Sequence, residues 1–389
     1  MKIAIVHDWL TIYGGAERAL EQILECYPDA DLFSLIDFVP KDHRGFLKNK
    51  RVSTSFIQNL PFAEKHYRDY LPFMPLAVER FNLRGYDLVI SSSYAVAKGV
   101  ITAPDQLHIC YLQARNLRYA YEDRGLYQGN KAIQFVQDYF LHNIRLWDSI
   151  ASKRPEITIA NSQYVRNWHL KRHGVDSKII YPPVNTEIFG KYFSDDYDGY
   201  YVTTSRFEPY KQIHLIVEAF AKLGKRLIVI GDGSQEAMLK SVATDNVEFI
   251  GYQDAEIIAR VTSRAKAFVF AAQEEFGIAP VEAQACGTPV IAFGKGGGLE
   301  TIRGLESKRP TGVFFYEQTA EAIIDAVARF EKHQAEIDPV ECRRNALRFS
   351  EEVFRHNFSN YVWDCWKNFS GAGRDQYLNA LDRVDPDVA

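Results

Sequence analysis

The chain has 389 residues, 47 % of them apolar, and a formal net charge of -4. That length predicts two domains, each with its own core, and the charge excludes a protein held to nucleic acid by a global positive field. Five cysteines (Cys26, Cys110, Cys286, Cys342 and Cys365) are scattered with no C-x-x-C pair; this argues against a disulfide framework or a zinc ribbon and fits a reducing compartment.

The chain runs from Met1 to Val6 and meets His7 and Asp8 at once, too short an apolar stretch for a secretory leader. No other stretch approaches the ~18 apolar residues of a spanning helix. The expectation is a cytoplasmic protein. Short β-branched runs then alternate with helical patterns: strands over 3–6, 32–36, 88–91, 108–112 and 157–160, helices over 15–25 and 132–150, and a further helix capped by Ser162. The pattern breaks at Tyr181-Pro182-Pro183-Val184-Asn185, where a domain link is expected. It restarts with strands over 201–204, 226–230, 247–250 and 267–270, separated by helices over 212–223, 235–242 and 255–263. After 312–315 only helical patterns remain, over 320–330, 340–349 and 351–369, and the tail 385–389 is expected to fray. This alternation predicts an α/β fold of parallel sheets with helices on both faces, in domains 1–182 and 183–350.

Residues 41–84 are different in kind. Lys41, Arg44, Lys48, Lys50 and Arg51 cluster with only Asp42 opposing them, and Phe56, Ile57, Pro61, Phe62, Tyr67, Tyr70, Leu71, Phe73 and Met74 follow. Two readings stand: a basic and apolar face for an anionic membrane or a lipid-linked acceptor, or a partly helical insertion whose apolar residues are core.

Four short elements end predicted strands. Gly14-Gly15 opens the first helix, where glycines let backbone N–H groups approach a phosphate at a helix start. It is not G-x-G-x-x-G and no acidic ribose ligand ends the second strand, which disfavours an NAD-dependent oxidoreductase. Arg206 and Lys211 follow the first strand of the second domain; a planar fork and a point charge suit a diphosphate, and solvated cations at a helix start are the alternative. Gly231-Asp232-Gly233-Ser234 reads first as a tight turn with Ser234 as N-cap and secondly as a pocket lining. The fourth element is Glu274-Glu275-Phe276-Gly277-Ile278-Ala279-Pro280-Val281-Glu282, followed by the glycine-dense 294–298. Its two glutamates stand one short loop apart at a strand's C-terminal end, where open α/β sheets bind ligands. Glu282 is expected in the first turn of a helix beginning near Ala279 or Pro280. The glycines at 294–298 are expected to bring backbone close to a ligand. Paired carboxylates also serve glycoside hydrolases, but a hydrolase needs no phosphate-binding groups beside them. The D-x-D triplets at 29–31, 196–198 and 385–387 end no suitable strand and read as surface acid.

At these residues the sequence resembles the retaining glycosyltransferases of family 4. It carries E-x7-E as Glu274 and Glu282 around Phe276-Gly277, R-x4-K as Arg206 and Lys211, and Gly-Gly-Ala-Glu at 14–17. The resemblance implies the GT-B fold: two doubly wound Rossmann-like domains facing across a cleft, with the C-terminal helix 351–389 crossing back to the N-terminal domain. It implies that Gly14, Gly15 and Gly231 line the donor site and that Arg206 and Lys211 neutralise the donor diphosphate. Glu282 would take the ribose hydroxyls, while Glu274 and the backbone of Phe276, Gly277 and Ile278 hold the sugar. It implies no metal and no cofactor beyond the donor itself, a nucleoside-diphosphate sugar. The loop 294–297 and Arg118-Tyr119-Ala120 look most like bacterial surface-polysaccharide mannosyltransferases, which favours GDP-mannose as donor, with a UDP-sugar next and a glycan or lipid-linked acceptor. Peripheral attachment to the inner face of the cytoplasmic membrane fits such an enzyme. One departure stands out: many relatives place a His where this chain has Gln113. Either that role is dispensable, or Gln113, Arg115 or Asn116 fills it, or the chain is a nucleotide-sugar-binding partner subunit without turnover. His7 and His108 read as structural strand-end residues.

Overall fold

The computed structural model describes residues 1–115, 117–121 and 131–370. The described residues divide into two compact units, one within Met1–Ile180 together with those from Phe354 to Ser370, the other of Tyr181–Val353.

The first unit is built on a parallel sheet of β1 (Ile3–His7), β2 (Asp31–Ser34), β3 (Val52–Thr54), β4 (Leu88–Ser93), β5 (Leu107–Leu112), β6 (Ile157–Ala160) and β7 (Lys178–Ile179). The spatial order is β3-β2-β1-β4-β5-β6-β7. All six residues of β4 and of β5 are buried, as expected when helices cover both faces. Side chains alternate between the faces: Ile5, Leu32, Leu88, Ile90 and Ile109 join one core cluster, Ala4, Val6, Phe33 and Val89 the other. The helix Glu351–Asn368 belongs to the first of these clusters through Phe354, Phe358 and Val362. Their spacing of four puts all three on one helical stripe. Phe354 and Phe358 stack at 5.4 Å and meet the buried Tyr111 ring edge-on at 5.7 and 5.8 Å.

The second unit carries β8 (Tyr201–Thr204), β9 (Leu227–Ile230), β10 (Val247–Gly251), β11 (Ala267–Phe270), β12 (Val290–Phe293) and β13 (Gly312–Phe315) in a parallel sheet ordered β10-β9-β8-β11-β12-β13. Both sheets therefore reverse direction beside their first strand, between β1 and β4 and between β8 and β11. In doubly wound folds ligands bind at the carboxyl ends of the strands at this switch point. The loops that end β1, β8 and β11 contain Gly14, Arg206 and Glu274.

Several local expectations change. β3 and β7 were not expected; at three and two residues they are edge strands too short to show a period. β12 was not expected as a strand either. Residues 41–84 fold as 3-10 turns and short helices around β3. Phe46, Leu47, Ile57, Tyr67, Met74, Ala77 and Val78 are buried, while Phe62, Phe73 and Leu76 stay exposed. Much of the basic cluster is engaged: Arg44 forks onto Asp37 with two bonds of 2.8 Å, Lys48 pairs with Glu25 at 2.6 Å, and Lys50 donates to the carbonyls of Pro28 and Ala30. Asp196 and Asp198 pair with Arg264 on the surface. The triplet at 385–387, the tail and Asn116 lie outside the described residues. Among the described residues no helix is long and apolar enough to cross a membrane, and no group of three or more His, Cys, Asp or Glu could hold a metal ion.

Candidate functional site

In the second unit, β11 is wholly buried and delivers the chain to Glu274. Gly277 adopts a left-handed φ of 88° as N-cap of the helix Ile278–Ala285, a conformation that side chains rarely tolerate. That cap starts the helix earlier than expected. Glu282 therefore lies in the second turn, and it is buried at 8 % exposure. Ile278, the first helical residue, is half-buried. Phe276 is buried, its ring in a cluster with those of Tyr181 (5.8 Å) and Phe349 (5.3 Å). The side chain anchors the loop to the unit's core.

Two glycines of the 294–298 run lie against the loop that carries Glu274. A Cβ on Gly297 would lie 2.2 Å from the Cα of Phe276 and 2.5 Å from the Glu275 carbonyl, and one on Gly296 2.4 Å from the Glu274 carbonyl. The Gly297 N–H donates to that same Glu274 carbonyl at 2.9 Å. The close approach is backbone on backbone, and it braces the loop carrying Glu274.

Arg206 and its neighbours are braced in the same way. Gly231 (φ 132°) and Gly233 (φ 147°) lie against the backbone of Ser205 and Phe207, where a Cβ would come within 1.8 and 2.7 Å. Phe207 N–H donates to the Asp232 carbonyl at 2.6 Å, and Gln235 N–H to the Phe207 carbonyl at 3.0 Å. Ser234 caps no helix: the cap position is Gln235, and the Ser234 hydroxyl reaches the Phe207 carbonyl and the Glu208 carboxylate. Gly231 thus acts through the 205–208 segment. Arg206 is exposed and bonds the Tyr210 hydroxyl at 2.9 Å. Lys211 forms an ion pair with Glu274. Two groups 63 positions apart in sequence, both read as donor ligands, are brought into direct contact.

In the first unit, Gly14 is the N-cap of the helix Gly15–Cys26, and its N–H donates to Glu17 at 2.9 Å. Its backbone is extended (φ -129°), so no special conformation calls for glycine there. Gln113 follows β5 and is half-buried. Its amide nitrogen donates to the Ser92 hydroxyl at 2.5 Å and to the Ala16 carbonyl at 3.2 Å, which seats it under the start of the Gly15–Cys26 helix. Arg115 lies over the Tyr164 ring at 5.1 Å. His108 is buried and bonded to Ser91 at 2.8 Å, and burial pushes its pKa down to about 3, so it stays neutral. Sequence reasoning missed Asp8, whose buried carboxylate accepts from the N–H groups of Tyr94, Ala95, Val96 and Ala97 at 2.6 to 2.8 Å. It ties the turn after β1 to the turn after β4 at the switch point. The only signal was an acid directly ending the first strand.

Two Rossmann-like units with these strand orders are the building plan of the GT-B glycosyltransferases. The solved structure of Anabaena HepE in complex with UDP-glucose superposes with a TM-score of 0.66 at 18 % identity, covering 94 % of this chain and 100 % of that one. Residues 184–349 match the family model Glycosyl transferases group 1, a stretch that contains Arg206, Lys211, Gly231, Glu274 and Glu282. Among curated relatives, the chain is 33 % identical over 114 residues to the GDP-mannose-dependent monoacylated alpha-(1-6)-phosphatidylinositol monomannoside mannosyltransferase of Corynebacterium glutamicum (25 % of this chain, 30 % of that one). It is 24 % identical over 268 residues to the alpha-1,3/1,6-mannosyltransferase ALG2 of Kluyveromyces lactis (52 % of each). The matched stretches thus span about half or less of these relatives.

Proposed function

We propose that the chain is a retaining, metal-independent glycosyltransferase of family 4. It moves a hexosyl unit, mannosyl by preference, from a nucleoside-diphosphate sugar to a glycan or lipid-linked acceptor in surface-polysaccharide synthesis. The observation that carries this reading is the Lys211–Glu274 pair, set beside Arg206 on two glycine-braced loops at the switch point of the group 1 domain. A donor diphosphate outcompetes one carboxylate for Lys211, since it brings more charge and a second cation, Arg206, to the same place. Glu274 is then released to accept hydrogen bonds from sugar hydroxyls, and Glu282 takes the ribose hydroxyls. Arg206 and Lys211 stabilise the charge that develops on the leaving diphosphate. A donor phosphate oxygen takes the acceptor proton as the new glycosidic bond forms on the face from which the diphosphate leaves, which retains configuration.

In this reading the domain 183–350 binds the donor and 1–182 the acceptor. GDP-mannose is favoured as donor by the name of the Corynebacterium relative, and a UDP-sugar is the runner-up on the strength of the HepE complex. Peripheral membrane contact through 41–84 now rests on the exposed Phe62, Phe73 and Leu76; salt-sensitive binding to anionic vesicles, lost on Phe62→Ser with Phe73→Ser, tests it. Single-turnover transfer from radiolabelled donors tests the activity. Transfer with retention is expected, abolished by Glu274→Ala. No transfer and no slow hydrolysis from any nucleotide sugar overturns it and favours a binding subunit without turnover.

A further inference from the structure

Arg206 and Lys211 are held in different ways, and one residue touches both. Lys211 is paired with a carboxylate, that of Glu274. Arg206 is exposed, and among the described residues no carboxylate forms an ion pair with it. Its guanidinium instead donates to the Tyr210 hydroxyl at 2.9 Å. The ring of Tyr210 lies under the Lys211 ammonium, 5.2 Å from it, within the range of a cation–π contact. Tyr210 therefore meets one cation through its oxygen and the other through its face.

The local chain fixes this placement. Pro209 opens a 3-10 turn, Pro209–Lys211, which Gln212 ends in left-handed conformation at φ 56°. The Lys211 N–H donates to the Glu208 carbonyl at 2.9 Å and the Gln212 N–H to the Pro209 carbonyl at 3.2 Å. On the other side Phe207 is buried in the core of the second unit. Tyr210 is half-buried in this braced turn, four positions after Arg206.

A long exposed side chain loses rotamer freedom when it meets a ligand. An acceptor that already orients it removes part of that loss. A guanidinium only donates, so the Tyr210 oxygen accepts. A hydroxyl brings no charge: it occupies one N–H of the fork and cancels none of the cation. A carboxylate in its place would orient the fork as well but would compete with an incoming anion.

We propose that Tyr210 is a positioning residue for the cation pair: its hydroxyl holds the Arg206 fork ready for the donor diphosphate without cancelling its charge, and its ring supports the Lys211 ammonium. This rests on the reading that the chain binds a nucleoside-diphosphate donor.

The test is a double-mutant cycle on the full chain, with GDP, UDP and inorganic pyrophosphate as probes and Kd read by ligand-observed NMR, which reaches the millimolar range. Tyr210→Phe keeps the ring and removes only the acceptor. It should weaken binding about fivefold, within the range of one hydrogen bond, at an unchanged melting temperature. In an Arg206→Ala background the same substitution should have no further effect, because it acts through Arg206. A merely structural role would give the same loss in both backgrounds. Tyr210→Glu keeps an acceptor but cancels the charge, and should bind about tenfold more weakly than Tyr210→Phe. Three results overturn the inference and leave the glycosyltransferase reading standing: Tyr210→Phe binding like wild type, an equal loss with and without Arg206, or Tyr210→Glu binding as tightly as Tyr210→Phe. Failure of the wild type to bind any of the three probes overturns that reading, and this inference with it.

Discussion

Gly297→Ala should disable the site while leaving the unit folded. The added Cβ would lie 2.2 Å from the Phe276 Cα, where ordinary contact begins at 3.4 Å. The interface must therefore open by about 1.2 Å, because close-packed interiors leave no slack to absorb the difference. Phe276 has little room to retreat, since its buried ring packs against both Tyr181 and Phe349. The displacement falls on the loop and stretches the 2.9 Å bond from Gly297 N–H to the Glu274 carbonyl. A misplacement near 1 Å in a reacting constellation costs on the order of a hundredfold in rate, and overpacking of this kind costs ~1–3 kcal/mol in stability. Gly297 sits in right-handed helical conformation, so backbone strain is not the cause. Gly298→Ala is the control, because its Cβ meets the Phe293 carbonyl at an ordinary 3.4 Å. The assay is kcat/KM for transfer, with melting temperature alongside: a loss on the order of a hundredfold in Gly297→Ala and near wild-type rates in Gly298→Ala. Wild-type activity in Gly297→Ala would refute the claim that this contact places Glu274.

Arg206→Ala is expected to weaken nucleoside diphosphate binding by about 1.5–3 kcal/mol, the range for charge-assisted bonds, with little change for the nucleoside alone; equal diphosphate affinity in mutant and wild type refutes its placement. Phe358→Ala removes a fully buried ring packed against Phe354 and Tyr111 and should cost ~3–5 kcal/mol, read as a lower urea midpoint for the first unit. Burial lowers the pKa of His108 to about 3 and of His169 and His173 to about 4, while the unfolded chain keeps them near 6.5. Below pH 6.5 the unfolded state binds more protons, so stability falls as pH drops from about 6.5 toward 4. His169→Phe should flatten that decline in melting temperature, and an unchanged slope would contradict the assignment.

The parallel architecture was legible because buried parallel strands are nearly continuous apolar runs, as at 267–270 and 88–91. What escaped depends on tertiary contact. β3 and β7 are too short to display a period, and β7 takes its place in the first sheet only by pairing with β6. The phase of the helix bearing Glu282 was misjudged because a left-handed glycine cap, not the proline, sets its start. The loop 294–298 was read toward a ligand, and the structure adds a demand no local pattern shows: Gly296 and Gly297 lie against the backbone of 274–276. The candidate residues were visible as isolated motifs. Their pairing was not: Lys211 meets Glu274 across 63 positions, and Gln113 is held by the Ala16 carbonyl and the Ser92 hydroxyl. No local pattern encodes such a network.

The most direct test is a thermal-shift screen of wild type and Arg206→Ala against GDP-, UDP-, ADP- and dTDP-sugars. A nucleotide sugar at a hundred times its Kd contributes about 2.7 kcal/mol of stability. One member of the panel, GDP-mannose by preference, should therefore raise the wild-type melting temperature by several degrees and shift Arg206→Ala far less at the same concentration. A panel that shifts neither protein, or shifts both equally, would contradict a donor site built on Arg206, Lys211 and Glu274.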